Sequence, residues 1–349
     1  MSGAPLVDYT ATSARPPWSA LPDSLRTALA VALGTEIAAA GPSVTSGFTG
    51  GFAAPLYLAD GREVFVKAAE NSQHAYSAYQ REAELVPNLP AAVRAPRILA
   101  TAHATAPTHA NVSGTAEQPA AALAPDNEAR WFAVASERVD ARMPGMPWTR
   151  EDFATVTKTC ETMADALTPT PFTDLEPFTA QMERNAFPRH APAEILAGQR
   201  PLPDGFHPWL PDRLQELQDL INLYPTALQG DSAVHGDLRP DNLFIDSTNT
   251  CWTVDWNWLS LAPPWFDWVG LLPLAHRDGI DTLAAINASP LTNAVPADDL
   301  DCFAATIAAY MMDKLDAPPP PGCTPELRRH QRNYAWAFLD WLAVRRDWV

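Results

Sequence analysis

The chain has 349 residues, 47% of them hydrophobic, and a formal net charge of −17. That length and apolar share are enough for two lobes with a core each, while the charge argues against a nucleic-acid or anionic-membrane partner. No apolar run approaches the roughly eighteen residues needed to span a bilayer, the start lacks the basic flank and apolar stretch of a secretory leader, and the four cysteines show no paired or ligand-like spacing, so a cytoplasmic protein with reduced thiols is expected.

The acidic surplus would suit a cationic small-molecule partner, and it would serve equally for solubility alone. Only Lys67, Lys158 and Lys314 are lysines among the 24 basic residues, so each lysine invites a question.

Residues 1–18 are Pro-rich and expected to be irregular. From Asp23, the side chains Leu25, Leu29, Leu33 and Ile37 recur on one helical face, and Gly41-Pro42 closes the run, which predicts one core-packing helix. A glycine-containing turn, Ser46-Gly47-Phe48-Thr49-Gly50-Gly51, comes next. Glycines let a backbone approach a phosphate closely, but this turn lacks the GKS or GKT of a Walker loop and by itself also fits a plain hairpin turn. Leu56 and Leu58, then Val64 and Val66, alternate around Asp60-Gly61 and predict a hairpin. Lys67 ends the second of those strands, where a lysine reaches the α- and β-phosphates of a nucleotide; the plainer alternative is a surface lysine closing a strand. The segment 76–85 reads as a helix with two acids, and Glu82 is the first candidate to pair with Lys67, with Glu84 the second.

Another strand is expected to start at Pro96-Arg97-Ile98. Residues 101–129, built mostly of Ala, Thr, Pro and Asn, show no period and are expected to form a long surface loop or insertion. A strand over 131–135 follows, then a connector, 136–139, whose backbone at Glu137 and Val139 would hydrogen-bond a nucleotide base. From Thr149 the chain turns helical: Thr149 with Asp152 makes a capping pair, Phe153, Val156, Cys160, Met163 and Leu167 line one face, and Leu214, Leu217, Leu220 and Ile221 line another. The expected organisation is a nucleotide-binding lobe over 1–135 and a catalytic, substrate-binding lobe over 136–349.

The chemistry concentrates in 234–255, VHGDLRPDNLFIDSTNTCWTVD. Asp237 and Asn242 are five apart on a loop, and Asp255 caps the second strand of a hairpin that follows. Such a loop and hairpin can gather three oxygen groups: a carboxylate, Asp237, to accept the proton of an attacking hydroxyl, and Asn242 with Asp255 to hold Mg2+. A competing reading makes His235 and Asp237 ligands of a hydrolase metal, although no second His cluster lies near; His235 more simply holds the loop by hydrogen bonds. Asp267, between Phe266 and Trp268, needs partners if buried and is expected to brace the loop from behind. Tryptophans 252, 256, 258, 265 and 268 read as core, with Trp256 and Trp258 able to alternate outward towards a substrate.

With HGDLRPDN at 235–242, VDW at 254–256, the glycine turn, VFVK and YQREAEL in that order, the chain resembles the aminoglycoside phosphotransferase family of small-molecule kinases, kin to choline kinases and more distantly to protein kinases. The resemblance implies an α+β bilobal fold: an N-lobe of five antiparallel strands with a main helix, a mainly helical C-lobe, and ATP or GTP between them. It implies Asp237 as catalytic base, Asn242 and Asp255 as Mg2+ ligands, and Lys67 with Glu82 as the nucleotide-positioning pair, aided by Ser46, Gly47, Thr49 and Gly50. Arg239, two after the base, either stabilises charge on the transferred group or braces the loop. Asp-Trp in place of Asp-Phe-Gly, and the lack of an Ala-Pro-Glu segment, weigh against a protein kinase. The implied acceptor is a small-molecule hydroxyl, with an antibiotic as first candidate and choline, sugars or amino acids as others. A catalytically silent nucleotide-binding protein of the same shape is the rival, against which the set Lys67, Asp237, Asn242 and Asp255 is complete.

Overall fold

The computed structural model describes residues 7–107, 128–184 and 187–349. The first lobe is a five-stranded antiparallel sheet in the order β1-β2-β3-β5-β4. Its strands are β1 (Ile37–Ala40), β2 (Phe52–Leu58), β3 (Glu63–Glu70), β4 (Ile98–Pro107) and β5 (Glu128–Glu137). Helix α1 (Asp23–Leu33) covers one face of the sheet and α2 (His74–Leu85) the other. Successive side chains of a strand point to opposite faces. On β3, Val64, Val66 and Ala68 therefore join Leu25 and Leu29 of α1 in one core. Ala69 joins Ala75 and Tyr79 of α2 in another, and the same alternation turns Lys67 towards α2.

Three expectations are corrected here. The helix from Asp23 stops at Leu33, because Gly34 takes a left-handed cap at φ 74° whose N–H returns to Ala30 and Val31. Ile37 then belongs to an edge strand paired with Leu58, not to the helix. The irregular stretch expected over 101–129 is instead strand at both ends: Ala102 pairs with Ala133 and Pro107 with Glu128. Along β4, residues 98–107 alternate without a break between inward and exposed positions, but the inward residues are mostly alanines, whose small side chains let α1 pack close. The period was present and its amplitude was too low to read. Residues 108–127 of the expected loop lie outside the described residues. Strand β5 also runs two residues past the expected lobe boundary, so Ser136 and Glu137 are strand and not connector.

The second lobe is mainly helical. After the two-residue β6 (Ala141–Arg142) come α3 (Arg150–Leu167), α4 (Phe178–Glu183), α5 (Ala191–Leu196), α6 (Leu210–Ile221) and α7 (Tyr224–Ala227). Thr149 caps α3 by accepting from the Asp152 N–H at 3.1 Å. Short strands follow: β7 (Ser232–Val234), β8 (Leu243–Asp246), β9 (Cys251–Thr253) and β10 (Ser260–Ala262), with β7 paired to β10 and β8 to β9. Helices α8 (Phe266–Arg277), α9 (Thr282–Ala288), α10 (Ala297–Asp313) and α11 (Glu326–Arg345) complete the lobe around Trp268, Phe303, Phe338 and Trp341. Trp256 is fully buried and so does not face outward as the sequence allowed, whereas Trp258 is exposed. Among the described residues no helix is long and apolar enough to cross a membrane.

Candidate active site

The loop 235–242 runs from β7 to β8, and three groups set its shape. Gly236 has φ 79°, and a Cβ there would fall 2.5 Å from the Trp258 carbonyl oxygen, so only glycine fits. Asp267, in the first turn of α8, accepts the N–H groups of His235 at 2.7 Å and Gly236 at 3.0 Å. Burial pushes its carboxyl up to about 6 against those two bonds. His235 is fully buried, and burial pushes its ring down to about 4, so it is neutral at pH 7. Nε2–H therefore donates to the Val254 carbonyl at 2.8 Å, and Nδ1 accepts the Asp237 N–H at 3.3 Å. Both ring nitrogens face backbone, which rules out the metal-ligand reading of His235 and ties the loop to the strand end carrying Asp255.

Asp237 follows. Arg239 Nη1 donates to its Oδ1 at 2.5 Å, and the Asn242 amide donates to its backbone carbonyl at 2.8 Å. Burial raises the Asp237 carboxyl to about 6, with Arg239 pulling the other way. The remaining guanidinium groups of Arg239 donate to Asp241 at 3.0 Å each, and the Phe48 ring of the glycine turn lies 5.1 Å from it. Arg239 is thus forked between two carboxylates, the geometry of a brace.

Across the cleft, Lys67 Nζ donates to Glu82 at 2.7 and 2.9 Å and forms an ion pair with Asp255. Glu84 is exposed and takes no part. Burial would lower the lysine, but Asp255 and Glu82 outweigh it and hold Lys67 above its ordinary value. Asp255 adopts φ 65° just after β9, a conformation Asp tolerates better than most residues, and its N–H donates to Glu82 at 3.3 Å.

Ser46, Gly47, Thr49, Lys67, Glu82, Glu137, Val139, Asn242 and Asp255 line one cleft of about 370 Å³. Gly50 does not: it abuts Gly322, whose Cα lies 2.9 Å from where a Gly50 Cβ would stand. The Glu137 side chain pairs with Arg97, and its N–H donates to the Arg97 carbonyl at 2.9 Å. Asp237 lines a separate cavity of about 60 Å³ with Phe266, Phe303, Ile307, Met311, Tyr334 and Phe338. A larger hollow of about 570 Å³ lies outside the connector and holds none of Lys67, Asn242 or Asp255.

The model of the phosphotransferase enzyme family matches residues 45–300. The chain belongs to the phosphotransferase enzyme family. No curated protein matches it. Among solved structures it is similar to a thermostable mutant of the aminoglycoside phosphotransferase APH(4)-Ia in apo form, at 14% identity over 92% of this chain and 98% of that one, with a TM-score of 0.55. A complex of that enzyme with ADP and hygromycin B matches at 13% identity, 92% and 98% coverage and a TM-score of 0.55. A GDP complex of an aminoglycoside 2'-phosphotransferase-IIIa mutant matches at 14%, 89%, 92% and 0.51. At these identities the likeness establishes the bilobal α+β fold, as the sequence implied.

In this phosphotransferase the structure also brings in residues the sequence did not single out for the site. Arg15 and Tyr79 line the cleft, Asp241 holds Arg239, and His330 of α11 packs 4.5 Å from Phe48. Asp241 lies inside the quoted motif and could have been flagged as an acid beside a basic residue. Arg15 carries no local signal, because its partners are at least thirty-one residues away.

Proposed function

We propose that the protein transfers the γ-phosphoryl group of ATP or GTP, with Mg2+, to a hydroxyl of a small molecule. The observation that carries this is the grouping of Asn242, Asp255 and Lys67 in the lining of a nucleotide-sized cleft, with Asn242 bonded to Asp237, which lines a smaller cavity. Lys67, held by Glu82, would orient the α- and β-phosphates. Asn242 commits its amide N–H to the Asp237 carbonyl, which leaves Oδ1 as a ligand atom. With the Asp255 carboxylate it makes an oxygen-only donor set of the kind Mg2+ takes together with water and phosphate. When bound, the ion supplies charge neutralisation at the phosphates. The acceptor oxygen bonds to γ-phosphorus as the bridging β–γ oxygen leaves with its electron pair, and the hydroxyl proton passes to Asp237. His235 and Asp267 would fix the loop so that the carboxylate needs little reorganisation.

The first acceptor reading is an uncharged alcohol with apolar surface. Apart from Arg239 and Asp267, which brace the loop, the walls beside Asp237 are mostly aromatic and aliphatic, and none of the acids at 278, 281, 298, 299, 301, 313, 316, 340 and 347 lines that cavity. Several are engaged elsewhere: Asp298 and Asp301 with Arg345 and Arg346, Asp313 with Arg200, Asp340 with His207, and Asp281 as the cap of α9. An aminoglycoside is the second reading, favoured by the net charge of −17 and by neighbours solved with such ligands. Label transfer from γ-labelled ATP and GTP to a panel of neutral alcohols, sugars, choline and aminoglycosides tests both. Transfer to neutral alcohols is expected, and it should be lost in Asp255→Ala. A wild-type protein that consumes neither nucleotide with any acceptor would instead fit the silent binding protein.

A further inference from the structure

Residues 7–15 lie outside the segment matched by the family model, yet they reach the centre of the site. Thr12 and Ser13, both buried, donate their hydroxyls to the Gly47 carbonyl at 2.7 and 2.5 Å. The Ser13 N–H donates to Thr45 at 2.9 Å. On its other side the same arm accepts the Thr324 N–H at the Thr12 carbonyl and gives the Ala14 N–H to Gly322. The loop before α11 is likewise beyond residue 300. Two segments from opposite ends of the chain therefore grip the glycine turn from outside.

The arm ends in Arg15. Its Nη1 donates to the Gly51 carbonyl at 2.7 Å and to the Tyr79 hydroxyl at 3.2 Å, and Nη2 donates to the Ser46 carbonyl at 3.1 Å. All of these acceptors are neutral, and among the described residues no carboxylate lies within ion-pair distance of the guanidinium. Lys67, by contrast, is matched by two carboxylates. Both cations line the cleft together with Ser46, Gly47, Thr49 and Asp255. A triphosphate entering this cleft meets one lysine clamped by two carboxylates and one guanidinium that makes no ion pair, although Asp255 feels its charge.

We propose that Arg15 is a phosphate-binding residue of the nucleotide site, carried there by an N-terminal arm that latches the glycine turn to the C-terminal helix. This rests on the nucleotide reading of the cleft. The planar fork suits two oxygens of one phosphate, and its carbonyl bonds hold it ready at the wall of the site. The arm thereby couples nucleotide binding to the packing of α11, since Tyr9 of the same segment meets Nδ1 of His330 at 3.0 Å.

The competing role is a brace that only shapes the turn, and the phosphate count separates the two. Equilibrium binding of adenosine, AMP, ADP and ATP, and of the guanosine series, to the full-length wild type, Arg15→Gln and Arg15→Lys makes the comparison, with melting curves as the check on folding. The expected result for Arg15→Gln is a loss of about tenfold or more for the triphosphate, as for one charge-assisted hydrogen bond. The loss should shrink with each phosphate removed and be absent for the nucleoside, and Arg15→Lys should recover part of it. An equal loss from nucleoside to triphosphate, or no loss at all, overturns the proposal while leaving the nucleotide reading intact. A wild type that binds no member of either series overturns both. If Arg15→Gln does not fold, the slope of loss against phosphate number in Arg15→Lys decides.

Discussion

Asp237 owes its place to neighbours that each do a separate job: Asp267 holds the backbone ahead of it, His235 its N–H, Asn242 its carbonyl and Arg239 its carboxylate. Asp237→Asn keeps the volume and removes the proposed base. The expected outcome is a fall in kcat on the order of 10²–10⁴-fold, with nucleotide affinity nearly unchanged because the cleft is lined by other residues. Phosphate incorporation and equilibrium binding measured side by side would check it, and full turnover in the variant would remove Asp237 from the chemistry. Gly236→Ala tests the frame and not the chemistry. Its Cβ would strike the Trp258 carbonyl, so a loss of stability of roughly 1–3 kcal/mol is expected in denaturant melts. At this scale Lys67 and Glu82 were legible, because the resemblance pairs a strand lysine with a glutamate of the helix that follows. Arg15 was not, since nothing within thirty residues of it carries its meaning.

Between elements, the clearest failure of sequence reading is β4, where inward alanines alternate with Thr and His. Ala102 is buried in the core that includes α1. Ala102→Leu should therefore destabilise by about 1–3 kcal/mol through overpacking, whereas an exposed neighbour such as Thr101 should tolerate change. Thermal melts of the two variants make the comparison. Helix α11 offers a second test. His330 is buried between Phe48 and Tyr334, and its ring is pushed down to about 3 by burial and by Arg239, against Asp241. The sign follows from linkage: the unfolded chain takes up a proton near pH 6.5 while the folded ring does not, so stability is full above that pH and is lost as pH falls towards 3. At pH 5 the loss from this one group is about 2 kcal/mol. The Tm of His330→Phe should fall less between pH 7 and 5 than that of the wild type. Equal slopes would mean that the ring titrates freely. The helix itself is legible in the apolar spacing of Leu327, Tyr334, Phe338 and Trp341; its contact with the glycine turn, some 280 positions away in sequence, is not.

As a whole, the molecule is two main apolar cores joined by a polar seam and by a smaller apolar cluster that includes Val86, Val93, Met163, Leu167 and Trp256. One core lies under α1 and the other among α8, α10 and α11. The seam consists of Lys67 with Asp255, the Asp255 N–H with Glu82, Arg81 with the Leu259 carbonyl at 2.9 Å and Thr253 with the Arg94 carbonyl. The fold class was legible because motif order implied it, and the seam partly so, because Lys67, Glu82 and Asp255 were singled out in the sequence. A ligand that binds across such a seam favours the folded, assembled lobes over the unfolded chain. Nucleotide with Mg2+ should therefore raise the melting temperature, by the equivalent of about 2.7 kcal/mol at a hundred times Kd. Asp255→Ala removes both the partner of Lys67 and a proposed metal ligand, so the rise should become small and insensitive to Mg2+. Lys67→Met leaves Glu82 and Asp255 facing each other without their cation, and two neighbouring carboxylates repel. That variant should melt lower without ligand, yet recover part of the difference when Mg2+ is added, because the ion can take the place of the lost charge. A Lys67→Met protein as stable as the wild type in the absence of Mg2+ would show that the seam does not hold the lobes together.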